Sequence, residues 1–538
     1  MGGDAAGRRA PPSRMPALLR RGRRAAAREA FDAFAEHVEP ELLACPRVHR
    51  FASPPVLGDP RAPAAALAVC IEPGDGDAGE THDALAEQTT PAAALHQGPL
   101  AEVLRETRAE WVVTLQAGDR LAPLALERLG QAARLAPGAA VLTADENALG
   151  RGGRRVDPRC FPGPSPDHFA VAPHAPAPIA VRRDDAVTVA RGGARERLLR
   201  LAGPGGEAHA HVPLLLVHRS PAGRAAAPEA AVVQRVLRDG GDAAARVEPG
   251  GARALHVRRP LASEPSVEAI VCFRDRPELL ERCARSLLER TGYERLSLRL
   301  VDNGSTDAGT AALLGDLGRN RRVTVMADPR PFNFAALNNR AAATSGADLL
   351  LFLNNDTEIL ERGWLEPLLE EAVRDVVGAV APLLTYANGT VQHAGAAVGM
   401  HGWAGHPFAG LRPDEPTPFG AAAQGTRNWL AVSAACLLVE RRKFAAVGGF
   451  DEGFAVAGND VDLCLRLTER GWRSLCVPRA RVRHDESASR DPADVPPGDF
   501  ERSARRYGAF RTVGDPFYNP NLTLAETTCA LRRPEEAR

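Results

Sequence analysis

The chain is almost without lysine: of its 67 Lys and Arg residues only Lys443 is a lysine, while Ala, Gly and Pro abound. That bias is the mark of a GC-rich genome, and it lowers the information carried by any one arginine cluster. Net charge is also missing, at +0 with a pI near 7.2, which removes the global electrostatic case for a nucleic-acid partner. No apolar run approaches the ~20 residues of a membrane span, and the first residues lack the apolar core of a signal peptide. The expectation is therefore a soluble cytoplasmic protein, with any membrane contact peripheral at the inner face. The nine cysteines form no CxxC pair and no Cys/His ligand spacing, so reduced core thiols are expected rather than disulfides or a zinc module.

What is present is length and an ordinary apolar fraction: 538 residues, 44% hydrophobic, too long for one core and enough for about two to four domains. Residues 1–63 form a basic, Ala/Arg-rich segment. They read as a tail leading into a solvated helix, with an anionic membrane surface as the competing reading. Residues 64–259 carry weaker signals: a strand at Leu67–Ile71, and another at Trp111–Leu115 running into Gln116-Ala117-Gly118-Asp119. A helical pattern follows through Leu124, Leu126, Leu129 and Ala133, then strands at Ala139–Thr143, ending at Asp145-Glu146, and Val212–His218. The segment 219–265, with its Gly-Gly and Pro punctuation, reads as a linker.

From residue 260 the pattern sharpens. Strands are expected at Val267–Phe273, Leu296–Val301, Val323–Met326 and Ala347–Leu353, alternating with helices opened by Pro277, by Ser305 or Thr306, and by Phe334. That alternation specifies an α/β fold with a parallel, doubly wound sheet. The run Leu349–Leu353 is apolar throughout, as a strand buried on both faces must be, and stops at Asn354-Asn355-Asp356. Such a strand delivers a hard oxygen ligand to the carboxyl edge, where open α/β sheets bind ligands. Because the earlier region repeats the order of strand, polar stop and helix, an internal duplication with a worn first copy is expected.

Seven segments in one order, VDNGSTD (301–307), FNFAALNNRA (332–341), LLLFLNNDTE (349–358), GTVQHAG (389–395), SAACLLVERRKFAAVGGFDE (433–452), GNDVDLCLRLTERGW (458–472) and RVRHDESASR (481–490), resemble the inverting glycosyltransferases of family 2, which have the GT-A fold. With DPFYNPNLTL (515–524) they look most like the subgroup associated with O-antigen and other cell-surface polysaccharides, often rhamnosyltransferases. The resemblance implies a catalytic domain over 260–525 and a short tail over 526–538. It implies a degenerate GT-A-like domain over 64–259, where only Asp119 survives of an acidic metal motif.

The resemblance further implies transfer of a sugar from a nucleotide-diphosphate donor to a glycan or lipid-linked acceptor, with no nucleic acid involved. Asp460 would be the general base, with Asp462 beside it as the second candidate. The donor would be gripped by Arg274, Asp275, Asp302, Asn303, Asn338, Asn354 and Asn355. A divalent metal, Mg²⁺ or Mn²⁺, would be held by Asp356 and His484. Asn354 and Asn459 stand where the family usually has acidic residues. His393, Trp403 and Trp429 would line an acceptor-side loop. Two other classes remain in play: a non-catalytic nucleotide-sugar or glycan-binding assembly module, and a nucleotidyltransferase, which the lack of a glycine-rich N-terminal loop argues against.

Overall fold

A computed structural model describes residues 17–221, 229–485 and 495–536. The opening of the basic segment (1–16), part of the expected linker (222–228) and the end of the RHDESASR stretch (486–490) lie outside them.

Two mixed sheets organise the chain. The first contains β1 (Arg47–Arg50), β2 (Leu67–Glu72), β3 (Ala94–Gln97), β4 (Trp111–Gln116), β5 (Arg120–Leu121), β6 (Val141–Leu149), β7 (Pro178–Arg182) and β8 (His209–Arg219). The second contains β9 (Val267–Phe273), β10 (Leu296–Asp302), β11 (Val323–Ala327), β12 (Leu349–Leu353), β13 (Thr357–Ile359), β14 (Val377–Thr385), β15 (Cys436–Glu440) and β16 (Arg473–His484). The second sheet runs β11-β10-β9-β12-β15-β14-β16-β13, and the core of the first runs β3-β2-β4-β7-β6-β8. In each, the pairs β2/β3 and β9/β10, β2/β4 and β9/β12, and β6/β8 and β14/β16 are parallel. In each, one strand, β7 or β15, enters antiparallel, and a short strand, β5 or β13, returns antiparallel onto the last. The expectation of a parallel sheet is corrected at β15, which lies between β12 and β14 and runs antiparallel to both.

The continuous apolar run of β12 is explained by its central place. Leu350 and Phe352 enter one core cluster while Leu349, Leu351 and Leu353 enter the other, the two-residue alternation of a strand with helices on both sides. Each such burial is worth about 1.5–3 kcal/mol.

Several boundaries differ from expectation. The N-terminal segment ends inside the first domain: β1 pairs with β8, His49 opposite His211. Near the end of the helix α1 (Ala17–His37), Phe31 and Phe34 enter the core, and Val38 follows them just beyond it. The expected linker holds a helix, Ala230–Asp239, and a two-stranded sheet, Arg246–Pro249 with Leu255–Arg258. The C-terminal stretch is no loose tail, since Cys529 and Leu531 are buried and Leu531 bridges Leu522. All nine cysteines are free thiols.

The two halves are locked by buried polar contacts. Asp145 and Glu146 do not end their strand but lie within β6. Asp145 Oδ2 accepts from Nδ2 of both Asn519 and Asn521 at 2.7 Å, and Oδ1 accepts from the Phe161 N–H at 2.8 Å. Asp167 pairs with Arg374 at 2.7 Å and Arg473 at 3.1 Å, and accepts from Asn428. Burial would raise the Asp167 pKa, but the two guanidiniums overcome it and hold the carboxyl well below its usual range.

Candidate functional site

The end of β12 and the start of the helix α2 (Asn459–Glu469) meet around one turn, Ser433–Ala435, which leads into β15. The Asn354 N–H donates to the Ala435 carbonyl at 3.0 Å, and the Ala434 N–H donates to Asp460 Oδ2 at 3.1 Å. Asp460 Oδ1 accepts from the Val461 N–H at 2.8 Å. The cap of α2 has to be glycine: Gly458 has φ 86, and a Cβ there would lie 2.8 Å from Ser503 Oγ and 2.9 Å from the Tyr507 hydroxyl.

Asp356 and His484 are brought together by β13, whose Thr357 lies opposite His484 on β16. Asp356 Oδ1 is 3.2 Å from His484 Nε2 and Asn354 Nδ2 is 3.4 Å from the same nitrogen. Despite that proximity Oδ1 is buried without a well-formed hydrogen bond. His484 Nδ1 faces Gln392 Oε1 at 3.3 Å. With the amide oriented so, the imidazole donates from Nδ1, and its Nε2 lone pair faces a carboxylate oxygen. Among the described residues no group of three or more His, Cys, Asp or Glu side chains could hold a metal ion.

The other expected residues divide. Asp302 accepts the Ser305 N–H at 2.8 Å, a turn contact. Asp275, in the left-handed region at φ 52, spends Oδ1 on the N–H groups of Thr306 and Asp307, at 2.7 and 2.9 Å. Those two bonds, Asp307 first, hold its pKa below the ordinary value. Arg274 is exposed at the same edge, 4.0 Å from Asp275, and Asn355 is buried between Asn354 and Asp356.

Four expectations are corrected. Asn303 is buried and donates to the carbonyls of Asp328 and Arg330, so it braces a loop rather than facing a donor. Asn338, also buried, donates back to the Phe334 carbonyl within its own helix. Asp462 is locked between Arg466 at 2.7 Å and Arg506 at 2.9 Å, a structural ion pair rather than a second base. His393 and Trp429 do not line an open loop: both are buried, Trp429 beneath Gly395, where a Cβ would lie 2.1 Å from the indole nitrogen. Trp403 alone is half-exposed, its ring 5.1 Å from Phe500 and 4.9 Å from the Arg511 guanidinium.

Sequence reasoning missed Asp328. It is buried at this edge and paired with Arg330 at 2.7 Å and Arg340, and hydrogen bonds from Arg330 first, then Arg340, hold its pKa far down against burial. Its signal was the DPR triplet closing β11. Also missed as site residues were Gln392 and the small residues Ser433–Ala435, although both lie in the segments GTVQHAG and SAACLLVERRKFAAVGGFDE.

The equivalent edge of the first sheet is differently occupied. Asp119 precedes β5 as Asp356 precedes β13, and His218 lies opposite Arg120 as His484 lies opposite Thr357. There, however, the Arg219 guanidinium bonds Asp119 at 2.7 Å and Glu146 at 2.9 Å, and His218 turns to Asn147 at 2.8 Å.

The architecture is that of an α/β protein with a polar site at the carboxyl edge of a mixed sheet. The family model for Glycosyl transferase family 2 matches residues 268–428. An L-rhamnosyltransferase of Mycobacterium tuberculosis, N-acetylglucosaminyl-diphospho-decaprenol L-rhamnosyltransferase, is 32% identical over 241 residues, 40% of this chain and 75% of its own. The O-antigen biosynthesis protein RfbC of Myxococcus xanthus is 39% identical over 455 residues, 80% of this chain and 35% of its own. The chain belongs to glycosyltransferase family 2. It spans only 35% and 31% of the length of two long relatives, that Myxococcus protein and a Sinorhizobium fredii protein 38% identical to it. Among solved structures, GalNAc-T7 with UDP, GalNAc and Mn²⁺ matches 43% of the chain at 18% identity with a TM-score of 0.36.

Proposed function

We propose that the second domain is an inverting glycosyltransferase that moves a sugar from a nucleotide-diphosphate donor to a glycan or lipid-linked acceptor in cell-surface polysaccharide synthesis. The observation that carries this is that one turn, Ser433–Ala435, bonds both Asn354, next to the metal-type pair Asp356 and His484, and a separate, oriented carboxylate, Asp460. Asp460 accepts the proton of the acceptor hydroxyl as its oxygen attacks the anomeric carbon. The bond from that carbon to the diphosphate breaks in the same step, so the configuration inverts and no covalent enzyme intermediate forms. Two backbone N–H groups fix the carboxylate without neutralising it, which holds it ready at the acceptor side.

Asp356 and His484 fit a divalent ion: a hard oxygen and an imidazole nitrogen, with a buried carboxylate oxygen lacking a hydrogen bond. Such an ion, completed by diphosphate oxygens and water, would neutralise the leaving group. Asn354 in place of a carboxylate lowers the site's charge, so ion and nucleotide bind together rather than the ion alone. Arg274, Asp302 and Asn355 line the donor side of the same edge.

The first domain is a scaffold without a donor site, because Arg219 already supplies the positive charge that its Asp119 and Glu146 require. Both halves of the proposal are read by a thermal-shift panel of UDP-, GDP- and dTDP-sugars with and without Mn²⁺. A ligand that binds the folded state raises the melting temperature. The expected result is a rise for one nucleotide class that needs Mn²⁺ and disappears in Asp356→Ala. A rise that is full in EDTA would remove the metal role.

A further inference from the structure

Resting on the glycosyltransferase reading, we infer that His393 is a positioning residue for the base: it holds the Ser433–Ala434 backbone whose N–H orients the Asp460 carboxylate. His393 lies on the short strand Val391–His393, opposite Leu384 of β14, and is fully buried. Its Nε2 accepts the Ser433 N–H at 3.3 Å, and the next N–H in the chain, that of Ala434, is the one that reaches Asp460 Oδ2. The connection from the imidazole to the carboxylate thus passes through a single peptide unit.

The ring's second nitrogen determines that this bond exists. His393 Nδ1 is 3.0 Å from His406 Nδ1, so one of the two must carry the proton. Because Nε2 accepts from a backbone N–H, the proton of His393 sits on Nδ1 and His406 accepts it. The opposite tautomer would aim an N–H at the Ser433 N–H and push the turn away. Burial together with the neighbouring His406 and His484 keeps His393 neutral, as this arrangement requires. Its chain neighbour Gln392 braces His484 on the other side of the site. Two consecutive residues of one short strand therefore support the two halves of the chemistry, a pairing a packing histidine would not produce. A shift of about 1 Å in a catalytic group is enough to cost on the order of 10² in rate.

The test uses the full chain and measures release of nucleoside diphosphate from a panel of UDP-, GDP- and dTDP-sugars, with melting temperatures in parallel. His393→Leu should lose on the order of 10- to 100-fold in kcat while the donor KM stays within about 2-fold. His393→Gln, which restores an acceptor for the Ser433 N–H, should recover most of it. His406→Leu, which leaves His393 in place but removes the acceptor that fixes its tautomer, should lower kcat several-fold and add little to the loss in His393→Leu. If both leucine variants turn over at the wild-type kcat, or if His393→Leu fails to fold and His406→Leu keeps full kcat, the inference is overturned. So it is if His393→Gln is as impaired as His393→Leu. A wild-type protein that releases no nucleotide from any donor instead overturns the glycosyltransferase reading itself, and this inference with it.

Discussion

Asp460 and Asp462 stand two residues apart on one helix, yet their surroundings assign them different tasks. Asp460 receives two backbone N–H groups, whereas Asp462 is clamped by Arg466 and Arg506. Removing one member of a buried ion pair leaves the other uncompensated, at about 3–5 kcal/mol. Asp462→Asn should therefore lower the melting temperature while leaving the kcat of the folded protein within a few-fold. Loss of turnover at unchanged stability would return Asp462 to the chemistry.

At the scale of elements, the loop 515–521 is built on a buried carboxylate held by backbone N–H groups. Asp515 accepts the Val398 and Phe517 N–H groups at 2.9 and 2.8 Å, and complete burial raises its pKa to about 7. A folded-state pKa above the unfolded value of ~3.9 means that the folded chain binds the proton more tightly. The stabilisation from this group is complete below about pH 4, falls as the pH rises, and is gone above about pH 7. The unfolding free energy of wild type should therefore fall relative to that of Asp515→Asn over that window and then run parallel to it. A difference that does not change between pH 4 and pH 7 would refute the assignment.

Sequence made the elements legible where packing is local. The apolar run of β12, the Pro277 helix start and the seven ordered segments placed the second sheet and the turn that carries Asp356. It did not show that Asp145-Glu146 lies inside a strand, because the groups that satisfy Asp145 are Asn519 and Asn521, more than 370 residues away. For the same reason His393 and Trp429 looked like loop residues among glycines. Gly395 is room for the indole beneath it.

Taken whole, the molecule joins two sheets of the same strand order and direction, one with an open polar edge and one whose edge is closed by Arg219. Because Asp119 is fully buried in that ion network, Asp119→Ala should cost about 3–5 kcal/mol of stability. It should leave turnover unchanged in the protein that remains folded. Asp145→Ala should loosen the halves by stranding Asn519, Asn521 and His211, and limited proteolysis would read this as new cleavage between them. A folded Asp119→Ala protein that loses transfer would show two working sites.

The central claim, that Asp460 is the base of a sugar transfer from a nucleotide donor, is tested most directly by nucleoside diphosphate release in wild type and Asp460→Asn, with donor affinity measured on the same samples. A base acts in the transition state and contributes little to ground-state binding. The account predicts a fall in kcat of about 10²-fold or more with the donor Kd within a few-fold. An Asp460→Asn protein that keeps more than ~10% of wild-type turnover would contradict it.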